Sequence, residues 1–165
     1  MLKIGIIVGL FFLGEVTMAL NLNDKYAVAT EKAFNGLNKN TVDKLDEYYD
    51  KDAVFQDPVS RNEGIEKIKR YYAHQYENVK SIRFDFSSII REGDTQSAVW
   101  VMKVEHPAIN NGKEFTLDGH SLIRFNLQTG KVVFHRDYFD MGEFVYEKIP
   151  VLGSIIRFVK NKMKP

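Results

Sequence analysis

The sequence predicts an α+β domain in which three N-terminal helices pack on one face of a curved antiparallel sheet, with a further helix at the C-terminus. Three observations carry that reading. Up to Tyr76 the apolar residues recur at helical spacing. From Val79 the period changes to strand-like alternation, punctuated by Glu92-Gly93-Asp94, Asn110-Asn111-Gly112 and Thr129-Gly130. The length, 165 residues, suits one domain. A sheet curling around three helices leaves a cavity at its open end.

Residues 1–19 stand apart. Lys3 precedes an apolar run from Ile4 to Leu13, and the small residue Ala19 follows, the pattern of a secretory signal peptide. That predicts export to a periplasm or envelope; the alternatives are an uncleaved anchor or a buried N-terminal helix, and without a signal the chain is cytoplasmic. The run is short for a bilayer span, which takes about twenty apolar residues. Polar residues from Asn21 lead into the domain, expected over 24–144.

Tyr26, Ala29, Ala33, Phe34 and Leu37 mark the first helix. Thr41 is expected to cap a short second helix carrying Val42, Leu45, Tyr48 and Tyr49. Ala53-Val54-Phe55 reads as a short strand stopped by Asp57-Pro58. Asn62 is expected to cap a third helix with Ile65, Ile68, Tyr72 and Tyr76 on one side. Strands follow over Val79 to Arg91, Ser97 to His106, Phe115 to Leu127 and Lys131 to Phe139, with Asn110-Asn111-Gly112 a strong hairpin signal. The tail, 145–165, is helical again. Pro150 can open a helix at its first turn. Beyond it lie Val151, Leu152, Ile155, Ile156, Phe158 and Val159, with Lys160, Lys162 and Lys164 near the end. Such a basic amphipathic segment either packs on the domain or a partner subunit, or rests on a membrane surface.

Composition excludes several classes. There is no cysteine, hence no disulfide, thiolate nucleophile or thiolate metal site. The net charge is +1 and the Lys and Arg residues are scattered, which argues against nucleic-acid binding. No His, Asp and Glu set shows metal spacing. No Gly-rich phosphate loop or nucleophile elbow is present. No metal and no cofactor are expected.

Two segments carry a family resemblance. Tyr49-Asp50-Lys51-Asp52-Ala53-Val54-Phe55-Gln56-Asp57-Pro58, with Gly64-Ile65 and Tyr71-Tyr72 after it, resembles the segment of ketosteroid isomerases and SnoaL-like polyketide cyclases that ends in Asp-Pro. His135-Arg136-Asp137-Tyr138-Phe139-Asp140 is similar to the last strand of limonene epoxide hydrolases. Both belong to the nuclear transport factor 2-like superfamily, and the resemblance covers about Asp24 to Phe144. It implies a cone-shaped, cystatin-like domain that commonly dimerises through its outer sheet face. It places Asp57 where isomerases and cyclases keep a general base, and Asp137 where the hydrolases keep a water-activating carboxylate. The isomerase oxyanion Tyr would fall near Ala33 and its neutral acid near Ser121, which argues against steroid isomerisation. Met102 and Val104 stand near the places where the hydrolases need charged residues, which argues against epoxide hydrolysis.

Alternation puts His135, Asp137 and Phe139 on one face of the last strand, and Phe134, Arg136 and Tyr138 on the other. With the resemblance, the first set faces the pocket and the second a homodimer interface. An Asp and a His two apart on one face can share a proton, and Asp57 could serve as a second acid-base group. Tyr49, Phe55, Trp100, Ser121 and Phe139 are the expected ligand-binding residues. The structural alternatives are a turn-forming Asp57, a purely structural His135–Asp137 pair, and a Tyr71, Tyr72 and Tyr76 cluster that serves packing. The functional reading is a small hydrophobic-molecule binding protein with an acid-base site. An isomerase, cyclase or hydrolase is the alternative, and a non-catalytic interaction module the second. A cavity of about 300 Å³ or more would favour a small-molecule site, and one filled by Phe and Tyr a structural role.

Overall fold

The computed structural model describes residues 24–165, so the signal-peptide reading of 1–19 lies outside the described residues. Helix α1 runs Lys25–Gly36, capped by the Asp24 carboxylate accepting from the Tyr26 N–H at 2.9 Å. Its buried face is Tyr26, Ala27, Thr30 and Phe34, the i, i+4 spacing of an amphipathic helix. Thr41 does not cap the next helix. Its hydroxyl donates back to the Gly36 carbonyl at 2.8 Å and accepts from the Asn38 N–H at 2.8 Å, closing the loop instead. A single 3-10 turn, Val42–Lys44, runs straight into α2, Leu45–Tyr48.

Strand β1 is longer than expected, Tyr49–Gln56, and a short β2, Arg61–Glu63, pairs back on it. Asn62 therefore lies in β2, opposite Phe55, and cannot cap α3, which spans Ile65–Tyr76. Gly64 takes that place at φ 85°, a conformation that needs glycine. Its N–H donates to the Ala53 carbonyl at 2.8 Å, and its carbonyl accepts from Lys67 and Ile68.

The four long antiparallel strands are as expected: β3 Ser81–Glu92, β4 Thr95–Glu105, β5 Phe115–Phe125 and β6 Val132–Phe139. The sheet order is β2-β1-β6-β5-β4-β3. The extra strand β1 joins this antiparallel set by running parallel to β6. Register shifts at Phe86/Ser88, Arg124/Phe125 and within β1 mark bulges, the devices that curve a sheet. The result is an open, curved six-stranded sheet. At its free edge, the Asn35 side chain of α1 donates to the Phe84 carbonyl and accepts from the Phe84 N–H, at 3.0 and 2.8 Å. An otherwise unpaired strand edge is thereby covered.

The core lies between helices and sheet. Phe55, Ile68, Leu117, Ile123, Phe125 and Val132 are fully buried. Each such side chain stabilises the fold by roughly 1.5–3 kcal/mol. One buried polar chain crosses it: Gln96 donates to Thr30 at 2.7 Å, and Thr30 bonds the Tyr48 hydroxyl at 3.0 Å.

The tail forms α4, Met141–Phe144, a 3-10 turn over Tyr146–Lys148, and α5, Pro150–Met163, with Pro150 in its first turn. Helix α5 folds back on that turn, where Arg157 donates to the Glu147 carbonyl at 2.9 Å. Val151, Ile155, Phe158 and Met163 stay exposed. Among the described residues, no helix is long and apolar enough to cross a membrane.

Candidate functional site

Strand β6 sets the site. Its alternation turns His135, Asp137 and Phe139 toward the helices, and β5 places Ile123, Ser121 and Gly119 directly beside them. His135 is 1% exposed and the Asp137 side chain 14%. The His135 Nε2–H donates to Asp137 Oδ1 at 2.8 Å, and His135 Nδ1 meets the Tyr49 hydroxyl at 2.5 Å. The Tyr72 hydroxyl lies 3.5 Å from that of Tyr49. From the other side, Trp100 Nε1–H donates to Ser121 Oγ at 2.8 Å, and Ser121 donates to the same Asp137 Oδ1 at 2.5 Å. With neutral His135, every hydrogen in this network points one way. Tyr72 donates to Tyr49, Tyr49 to His135, and both His135 and Ser121 to Asp137. Oδ2 of Asp137 takes no hydrogen bond from the described residues.

Trp100 can reach Ser121 because Gly119 has no side chain. A Cβ there would sit 2.0 Å from Cη2 of the indole. The phenols of Tyr48, Tyr49, Tyr71, Tyr72 and Tyr76 are all pushed up in pKa, chiefly by burial, and the Asp137 charge adds to the effect in every case. They stay protonated, and the aromatic wall is one of neutral donors and π faces.

Asp57 forms the turn weighed as its structural alternative. Its Oδ1 accepts from the Val59 and Ser60 N–H groups, each at 2.8 Å, and its Oδ2 accepts from the Tyr71 hydroxyl. Both oxygens are thus engaged, unlike those of Asp137.

Asp57 and Asp137 line one cavity of about 120 Å³. Phe55, Tyr71, Tyr72, Trp100, Phe139 and Phe144 form much of its wall. A smaller hollow of about 50 Å³, walled by Phe34, Tyr48, Tyr49 and Ala33, also touches Asp137. The cavity falls short of the roughly 300 Å³ taken as the mark of a small-molecule site, because the aromatic rings fill most of the cone. Larger hollows of about 560 and 350 Å³ lie along α1, against β3 and against α2. Neither holds a buried carboxylate or imidazole, so the chemistry belongs to the smaller cavity.

Of the residues expected from sequence, Asp57, Phe55, Trp100, Asp137 and Phe139 line the cavity. Tyr49 lines the smaller hollow. His135 and Ser121 stand behind Asp137, fully buried, and act on it through hydrogen bonds. Sequence reading missed Gly119, and it assigned Tyr71 and Tyr72 to packing alone. The adjacent pair on α3, one residue per carboxylate network, was the available signal. Among the described residues, no group of three or more His, Asp and Glu could hold a metal.

A curved sheet closed over by helices, with ionisable side chains at the bottom of an aromatic cavity, defines a cone-fold domain with an interior pocket. A SnoaL-like domain profile matches residues 30–135, and the chain belongs to that family. Solved structures agree in fold. A provisionally assigned SnoaL-like polyketide cyclase from Shewanella denitrificans OS-217 superposes with TM-score 0.63 at 18% identity, covering 81% of this chain and 98% of that one. A protein of ketosteroid isomerase-like fold from Catenulispora acidiphila DSM 44928, in complex with trimethylamine, gives TM-score 0.62 at 17% identity, covering 76% and 92%. A protein of nuclear transport factor 2-like fold and unknown function from Exiguobacterium sp. 255-15 gives 0.58 at 19%, covering 70% and 98%. At these identities the likeness is one of fold. No curated protein matches the chain in sequence.

Proposed function

We propose that this is a small-molecule binding protein of the SnoaL-like type, with Asp137 as the polar anchor of its cavity. The observation that carries the reading is the convergence of two donor chains on Asp137 Oδ1, which leaves Oδ2 for a ligand. A structural ion pair needs no such directed relay, and a carboxylate held by His135 and Ser121 is fixed in orientation. The size of the cavity selects the ligand. A dry cavity of about 150 Å³ takes a molecule such as benzene, so about 120 Å³ suits a compact apolar molecule or one end of a longer one. The Catenulispora relative holds trimethylamine, which is of that size.

The same geometry supports acid-base chemistry as a second reading, that of an isomerase or cyclase. Asp137 Oδ2 would take a proton from a ligand C–H or O–H, and the His135 and Ser121 bonds would keep Oδ1 in place as the proton transfers. Asp57, with both oxygens engaged, serves the turn in this scheme and shapes the cavity mouth. Native mass spectrometry of the purified chain tests the binding reading. A retained small molecule that is lost in Asp137→Asn supports it; a ligand-free wild-type chain, with an interior that takes up no small apolar probe, overturns it.

A further inference from the structure

The ligand class follows from what the cavity wall offers, given the reading of this cavity as a ligand site. Its side chains include two carboxylates and no Lys, Arg or His among the described residues. Three polar hydrogens of the wall are spent within the protein: Tyr71 on Asp57, Tyr72 on Tyr49, and Trp100 on Ser121. Only the Tyr76 hydroxyl and the Gln75 amide remain as side-chain donors. A carbonyl or anionic ligand would therefore meet more acceptors than donors. What the wall presents in excess is the unpaired Asp137 Oδ2, set among aromatic rings. Those rings do not stack on each other in parallel. Phe84 meets Trp100 edge-on at 86° with centroids 5.3 Å apart, Phe139 meets Phe144 at 82° and 5.5 Å, and Tyr71 meets Tyr72 at 70° and 5.8 Å. Edge-to-face pairs of this kind build an apolar wall of aromatic rings without parallel stacks.

We infer that the cavity binds a small alkylammonium cation, its methyl or methylene shell against the aromatic faces and its charge balanced by Asp137. An aromatic enclosure with a carboxylate is the arrangement that recognises such cations, because each alkylated ammonium is apolar in shape yet attracted to ring quadrupoles. The phenols lining the cavity remain neutral, and Asp57 is engaged in its turn and by Tyr71, so Asp137 Oδ2 carries the charge that meets the ligand.

Trp100 is the single tryptophan of the chain and lines the cavity, so its fluorescence reports occupancy directly. The test titrates the full chain with tetramethylammonium chloride and, in parallel, with tert-butanol, a neutral molecule of similar shape, at constant ionic strength set by sodium chloride. The expected result is saturable quenching by the cation, with affinity at least about tenfold above that for tert-butanol. Asp137→Asn, checked by circular dichroism to be folded at the assay temperature, is expected to reduce that preference by about tenfold. Equal affinity for the two probes in the wild-type chain overturns the cationic class while leaving the cavity as a ligand site. Absence of any Trp100 response to either probe overturns the cationic class as well, and a retained molecule in native mass spectrometry then decides whether the ligand-site reading survives separately.

Discussion

His135 Nε2 lies 2.8 Å from Asp137 Oδ1, two residues along the same face of the last strand, and holds that carboxylate at the base of an aromatic cavity. The two aspartates of the cavity differ in consequence. Asp57→Asn replaces a group with three accepted bonds, two of them from backbone N–H donors of its own turn. It is expected to lower stability by about 1–2 kcal/mol and to alter ligand binding only slightly. Asp137→Asn keeps an acceptor for His135 and Ser121 and removes the charge, so it is expected to weaken ligand binding with a smaller loss of stability. Thermal melts and ligand titrations on both variants check the contrast. The reverse pattern would reassign the two roles.

Alkali should unfold the protein through its tyrosines. Tyr48, Tyr49, Tyr71, Tyr72 and Tyr76 have pKa values raised above 10.0, chiefly by burial. Below pH 10.0 they are protonated in both folded and unfolded chains and contribute no pH dependence. Above it the unfolded chain loses protons that the folded chain keeps, so stability falls as pH rises, by up to about 1.4 kcal/mol per unit for each group. Phenolate absorbance during an alkaline titration should show these five of the eight tyrosines appearing together with loss of ellipticity. Smooth titration of all eight in a folded chain would contradict the burial.

Gly119→Ala tests the seat of the indole. The added methyl would sit 2.0 Å from Cη2 of Trp100, so the ring must move and its bond to Ser121 must lengthen or break. Overpacking of this kind costs about 1–3 kcal/mol. The expected signs are a lower melting temperature and a shifted Trp100 emission. An unchanged emission spectrum would show that the indole does not depend on this glycine.

The outer sheet face carries Val99, Phe134, Arg136 and Tyr138, with Val99 and Tyr138 exposed and the Arg136 guanidinium 4.6 Å from the Tyr138 ring centroid. Aromatic residues with Arg are enriched at interfaces. A homodimer through this face is the expected state, and Tyr138→Asp should convert it to monomer in sedimentation. A one-chain mass for the unaltered protein at micromolar concentration would count against the dimer.

Helix α5 presents Val151, Ile155, Phe158 and Met163 to solvent, beside Lys162 and Lys164. That surface is expected to bind anionic membranes, apolar side in the acyl boundary and Lys among the headgroups. Vesicle flotation of the chain from Leu20 onward, with and without residues 149–165, checks it. Flotation of the longer form alone, on anionic and not on neutral vesicles, is the expected outcome. No flotation of the longer form would dismiss the idea.

Local pattern was enough to place the long helices, the four long strands and the face of β6 that carries His135, Asp137 and Phe139. Helical spacing before Tyr76 and alternation after Val79 are local properties, set by which positions of a helix or strand share a face. The same alternation places His135, Asp137 and Phe139 on one face of β6. Local pattern could not show where β1 pairs, because its parallel neighbour β6 lies some eighty residues away and register there depends on the whole sheet. For the same reason only the tertiary structure joined Tyr49 to His135, and Trp100 to Ser121 across Gly119. The cap of α3 went to Gly64 rather than Asn62 because β2 pairing with β1 claimed Asn62 first. The size of the cavity was also decided in three dimensions: rings scattered through the sequence fill the cone only once the curved sheet brings them together, leaving about 120 Å³ over Asp137.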